Sequence, residues 1–300
     1  MAAGLVARLR SAGCVFAEDE AALLLDAARL PEAGAPDGVD GAALEALVAR
    51  RVAGEPLEHV LGWAELAGRR WSVGPGVFVP RRRSELLVDV GAGLLPTGGT
   101  AGPPPVPAVV LDLCCGCGAV GGALLLAARA GGTAVELHAS DLDPVATAHA
   151  VTNVGPLGGI VHTGDLFAPL PPGLRGRVDV LLCHAPYVPT GTLRTLPPEA
   201  REHEPVVALD GGDDGLDVVR RVAGEAAPWL APGGSLLVEV GAGQVEAATA
   251  VMRAAGLTAA VVRGAAEDEP WDEPWDERAA PGPPTADGAG GLVVTGTLPR

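Results

Sequence analysis

The feature that most limits what this chain can fold into is an alternation of apolar runs with helical patterns, from Ala108 onward. Ala108–Leu113 is almost continuously apolar, as a strand covered on both faces should be. Ala119–Ala130 then reads as a helix. Strands follow at 134–140, 159–163, Val178–Cys183 and 235–240, with helices at 144–153, 216–230 and 244–255. Runs at 257–263 and Leu292–Thr297 add two closing strands. Repeated strand–helix–strand units imply an α/β domain with a doubly wound, mostly parallel, seven-stranded sheet. Ligands of such sheets bind at the carboxyl ends of the strands.

The segment before it follows different periods. Leu5, Leu9, Ala21, Leu24, Leu25, Ala28, Leu44, Leu47 and Val48 recur at spacings of three and four, which predicts a small helical domain over residues 1–56. Residues 57–80 mix Trp63, Leu66, Trp71, Val73, Val77 and Val79 with turn glycines, and read as a β-hairpin connector. The α/β domain is expected over 81–300, entered through a Gly/Pro-rich link at 91–107. Residues 265–290 hold a tandem Trp-Asp-Glu-Pro repeat and read as a mobile acidic loop between the last two strands. Trp271 and Trp275 make partner docking the alternative.

Charge limits the partners. The net charge is −16 and all 21 basic residues are arginine, so the chain lacks the broad basic footprint of a phosphate-backbone binder. Residues 1–83 hold ten arginines against eleven acids; the remainder holds eleven against twenty-six. The run Arg81-Arg82-Arg83 reads as a solvated turn. Five cysteines, three within 114–117, do not form a secreted disulfide framework. Neither a signal-peptide pattern nor an apolar span of about 20 residues is seen. The expectation is a cytoplasmic monomer with no nucleic-acid or membrane partner.

Three successive strand ends carry residues suited to a ligand. Asp112 precedes the small-residue turn Cys114-Cys115-Gly116-Cys117-Gly118, where a ligand can approach the backbone and meet the free N–H groups of a helix start. Asp141 ends the second strand and suits the two hydroxyls of a ribose; Asp143, before Pro144, suits a helix cap. Asp165 can accept from an adenine amino group, with Leu166 and Phe167 lining the ring's slot. The three ends outline an adenosine pocket without a diphosphate, and S-adenosyl-L-methionine fits it. No second C-x-x-C accompanies Cys114–Cys117, so small buried thiols are expected rather than a metal site.

At His184-Ala185-Pro186-Tyr187 the chain resembles the protein-(glutamine-N5) methyltransferases that modify peptide release factors, the HemK/PrmC family. Arg51-Val-Ala-Gly-Glu-Pro-Leu-Glu-His-Val-Leu-Gly62, Val79-Pro80-Arg81, Glu85-Leu-Leu-Val88, Gly164-Asp-Leu-Phe-Ala-Pro-Leu170, Glu204-Pro205, Ala208–Asp217 and Pro232-Gly-Gly234 through Glu239-Val-Gly241 follow in that family's order. The resemblance covers nearly the whole chain. It implies a class I methyltransferase sheet of Rossmann-like type, S-adenosyl-L-methionine as cofactor, and a release factor as protein substrate. It also implies that the helical domain helps hold that substrate. The departure is at the acceptor site: the family has Asn-Pro-Pro-Tyr. There the Asn oxygen and the next carbonyl accept the two protons of the substrate carboxamide, and the Tyr packs on its plane. An amide nitrogen is a poor nucleophile because its lone pair is delocalised, so two aimed acceptors matter. The Ala185 carbonyl can still accept. His184 can accept only when neutral, through one ring nitrogen. Three outcomes stay open: His184 stands in for Asn at reduced rate, His184 serves as general base for another acceptor, or catalysis is lost. On the first, His184→Asn is expected to raise glutamine methylation, and wild-type activity to fall below about pH 6.5.

Overall fold

The computed structural model describes residues 2–29, 38–95, 106–264 and 291–300. The acidic 265–290 loop and residues 96–105 of the link lie outside the described residues.

Helices α1 (Ala2–Ser11), α2 (Ala17–Ala27) and α3 (Gly41–Val52) pack Leu5, Leu9, Leu24, Leu44 and Val48 into one apolar cluster. Asp40 caps α3 by accepting from the Ala42 and Ala43 N–H groups. A further helix, α4 (Leu57–Leu61), adds Val60 to the same cluster, so the bundle reaches past residue 56. The spacing missed it because five residues cannot display a period. The buried pair Arg51–Glu20 (2.7 Å) ties α3 to α2, and Arg51 also reaches Glu199 at 3.2 Å.

The hairpin β1 (Trp63–Leu66) and β2 (Arg69–Ser72) forms as expected, but its apolar face belongs to the α/β core. Trp71 is fully buried and donates its indole N–H to the Leu66 carbonyl at 3.0 Å. It lies on α6 (Ala119–Ala130) at Gly122, where an added Cβ would meet the indole at 2.5 Å. Only a residue without a side chain permits that approach. Between hairpin and sheet stands α5 (Glu85–Leu94), which occupies the start of the segment read as link. Its N-terminal turn, Arg82–Ser84, is a 3-10 helix.

The large sheet comprises β3 (Ala108–Leu113), β4 (Val135–Asp141), β5 (Ile160–Thr163), β6 (Val178–Cys183), β7 (Leu230–Glu239), β8 (Thr258–Arg263) and β9 (Leu292–Thr297). Their order is β5-β4-β3-β6-β7-β9-β8. The first five are parallel, and β9 runs antiparallel between β7 and β8. Seven strands, mostly parallel, is the sheet that the apolar runs predict. Helices α7 (Pro144–Val154), α8 (Pro198–His203), α9 (Val206–Leu209), α10 (Asp217–Ala226) and α11 (Val245–Ala254) complete the chain. The short α8 and α9 are Pro-flanked and escape periodicity. Burying each Val or Leu of the central strands contributes roughly 1.5–3 kcal/mol. The strand order reverses between β3 and β6, so a crevice opens beyond their carboxyl ends.

Candidate active site

A cleft of about 830 Å³ opens at that reversal. Cys114–Cys117 of the turn, the ends of β4 and β6, and the α8–α9 segment line it, while Gly118 packs against Ala150 and Val154 of α7 instead. Cys114, Gly116 and Gly118 all have positive φ (54°, 54° and 76°), so the turn curls tightly before α6. Asp112 is buried beneath it. Its Oδ2 accepts from the Gly121 N–H at 2.9 Å, while Oδ1 is buried with no hydrogen-bond partner. Burial pushes the Asp112 carboxyl up to about 7, and the nearby Asp141 adds to the shift. An orphaned acid in a cleft of this size is the observation that tests the cofactor. S-adenosyl-L-methionine carries cationic groups that Asp112 can neutralise, and the residues present fit it.

Asp141 holds the turn from the side. It accepts from the Gly116 N–H at 2.8 Å through Oδ2, and from the Asp143 N–H at 2.9 Å through Oδ1. Its burial raises its pKa. Each oxygen keeps a second lone pair, which leaves Asp141 able to accept ribose hydroxyls. Asp143 caps α7 by accepting from Val145. Asp165 reaches the cleft edge half-exposed and bound to Arg221 at 2.7 Å, so an adenine contact there would share a carboxylate already paired. Leu166 lines the cleft with a φ of 48°. Phe167 does not: it is buried and stacks on Trp229 at 5.4 Å, in the core below. Both belong to one apolar cluster, and of the two only Leu166 also lines the cleft.

The cysteines are free. Cys115 and Cys117 are buried, and burial raises both thiols, Cys117 to about 12. The Cys114 thiol is raised by its hydrogen bond with Cys183 and then by burial. They remain protonated and act as small apolar residues.

His184, Ala185, Pro186 and Tyr187 line the same cleft beyond the end of β6, which pairs with β3 next to the turn. The His184 ring lies edge-on to Phe78 (centroids 5.3 Å, 87°) and near-parallel to Tyr187 (6.0 Å, 21°). Burial lowers the imidazole's pKa; Glu239 opposes this, and Arg83 and Arg81 reinforce it. The ring is neutral at pH 7. Its Nε2 lies 3.6 Å from Glu239 Oε1. Glu239 is buried at the end of β7. Burial favours its protonation, but His184 and Arg83 together hold it below the usual carboxylate range. Arg83 donates Nε to Glu239 at 3.0 Å and Nη2 to the Tyr187 hydroxyl.

Three of these groups escape sequence reasoning. Glu239, Arg83 and Phe78 come from segments far apart in the chain. One signal points to the first: Glu239 is an acid inside the apolar run Leu236–Val240, and a buried strand keeps a carboxylate only with partners. The arginine run is also corrected. Arg81 bonds the buried Glu204 at 2.5 Å, and Arg83 bonds Glu239, so both serve the cleft rather than a solvated turn. The charged partners lie more than a hundred residues away, where local patterns cannot reach.

No protein-family model matches the chain. The chain is 37% identical over 240 residues to the release factor glutamine methyltransferase of Mycolicibacterium smegmatis, covering 78% of this chain and 80% of that protein. It is 38% identical over 212 residues to the 4-amino-L-phenylalanine/4-methylamino-L-phenylalanine methyltransferase of Streptomyces pristinaespiralis, covering 70% and 69%. Among solved structures, a methyltransferase from Pyrococcus furiosus superposes with a TM-score of 0.50 at 13% identity, covering 78% of this chain and 90% of that one. That likeness concerns the fold.

Proposed function

The chain belongs to the release factor glutamine methyltransferase family, and from that membership we propose that it methylates a glutamine side-chain nitrogen of a peptide chain release factor. It is a methyltransferase that uses S-adenosyl-L-methionine, which supplies an electrophilic methyl group when bound. The observation that supports the acceptor reading is the placement of His184-Ala185-Pro186-Tyr187 beside the Cys114–Gly118 turn in one cleft. Asp112, the turn and Asp141 hold the cofactor, with Leu166 against its ring. Asp165 joins them at the edge. Tyr187, fixed by Arg83, offers a flat face to a carboxamide, and the Ala185 carbonyl and His184 accept its protons. Transfer of a methyl group in line requires positioning above all.

A second reading rests on His184 itself. A neutral imidazole suits an amine that must shed a proton, and the Streptomyces relative is named for an aromatic amine. One experiment separates the two. Incubating the protein with methyl-labelled S-adenosyl-L-methionine and a release factor should label the glutamine of its Gly-Gly-Gln loop. An unlabelled factor beside a labelled 4-aminophenylalanine would replace the first reading with the second. Binding of the demethylated by-product without label on either would indicate a non-catalytic binder. No helix among the described residues is long and apolar enough to cross a membrane.

A further inference from the structure

We propose that Glu239 is a positioning residue for His184, holding the ring as its Nε2–H tautomer so that Nδ1 offers a lone pair to the acceptor nitrogen. This rests on methyl transfer to nitrogen as proposed above and adds the route taken by the proton.

The geometry carries the argument. Glu239 Oε1 lies 3.6 Å from Nε2, and the same oxygen accepts from Arg83 Nε at 3.0 Å. Glu239 Oε2 is buried with no hydrogen-bond partner. A buried carboxylate that keeps its charge favours a donor beside it, and the ring nitrogen facing it is therefore the one that carries hydrogen. Neutral imidazole then has its free lone pair on Nδ1. The 3.6 Å separation is loose for a hydrogen bond, as such contacts are before an acceptor closes the site. Phe78 and Tyr187 confine the ring on two sides, so it cannot turn freely to exchange its nitrogens. The charged and titratable groups facing His184 are Glu239 from β7, Arg83 from the 3-10 turn, Arg81 just before it, and Tyr187 on its own segment.

The step balances. The acceptor nitrogen uses its lone pair to form the new N–CH3 bond, and the sulfur keeps the electron pair of the bond that breaks. The nitrogen then carries one proton too many. That proton forms a bond to Nδ1, and the imidazolium is stabilised by Glu239 until water takes the proton away. Neutral His184 is restored without any other reactant.

The test needs no bound cofactor for its first readout. Long-range 1H–15N spectra of the wild-type protein should show the His184 ring protonated at Nε2 and titrating below pH 6.5. Glu239→Gln removes the neighbouring negative charge, so the His184 midpoint should fall further, and the acid limb of kcat should move with it. Its kcat at pH 7.5 should drop about tenfold with KM for the release factor held. Glu239→Asp keeps the charge and should restore the midpoint. An Nδ1–H tautomer, or a Glu239→Gln midpoint that stays or rises, would overturn the pairing. Calorimetry with the demethylated by-product checks that each variant keeps its cleft. If the spectra behave as stated but the release factor stays unlabelled, the acceptor reading fails and the pairing stands. If the factor is labelled and the tautomer is Nδ1–H, the reverse holds.

Discussion

Asp112 is held between two demands: its surroundings favour the neutral acid, and a cationic ligand favours the anion. With its carboxyl pushed up to about 7, binding below that pH must first expel a proton. The affinity for S-adenosyl-L-methionine should therefore weaken by up to roughly tenfold per pH unit below 7, and level off above it. Calorimetry in buffers of different ionisation enthalpy should record proton release on binding at pH 6.5. No released proton, or an affinity flat from pH 6 to 8, would remove Asp112 from the cofactor site. His184 follows the same sign, since it too serves while unprotonated. Burial moves its pKa below the ordinary value, so the loss of activity lies to the acid side of pH 6.5. His184→Asn replaces a titrating acceptor with one that does not titrate. The ratio of variant to wild-type glutamine methylation should rise as pH falls from 8 to 5, and a constant ratio would count against this. At this scale the sequence named the acids, the small-residue turn and the His184–Tyr187 run that line the cleft, because they follow directly on apolar runs. It placed Phe167 in the slot, whereas Phe167 stacks on Trp229 in the core, a partner far along the chain that local pattern does not reach.

Elements show what local pattern can and cannot reveal. The central strands were legible because burial on both faces demands near-continuous apolar residues. α4, α8 and α9 were not, having four to six residues each. The hairpin was read correctly as a hairpin, yet its place against α6 depends on Gly122 and Trp71. Gly122→Ala gains about 1 kcal/mol of helix propensity but drives a methyl into the indole, which costs about 1–3 kcal/mol. The variant should unfold at lower denaturant than wild type. An equal or higher midpoint would mean that Trp71 is not locked there.

The whole molecule joins a helical bundle, a hairpin and a seven-stranded sheet around a cleft built by the sheet's reversal. A ligand that binds only the folded cleft must stabilise all of it. The demethylated by-product at a hundred times its Kd should raise the melting temperature by roughly 5–10 °C. A scan without that shift would deny the cleft its cofactor. The sequence by itself determined the succession of the seven strands and the longer helices between them, the mostly parallel sheet and the small-residue turn, since periodicity and residue size act over a few positions. Only the tertiary structure decided that Glu239 and Arg83 meet His184 and Tyr187, and that Arg81 meets Glu204. His184 and Glu239 meet because the parallel crossover sets the ends of β6 and β7 side by side, and Arg81 and Arg83 arrive from the turn before α5; a buried charge persists only where such a partner reaches it.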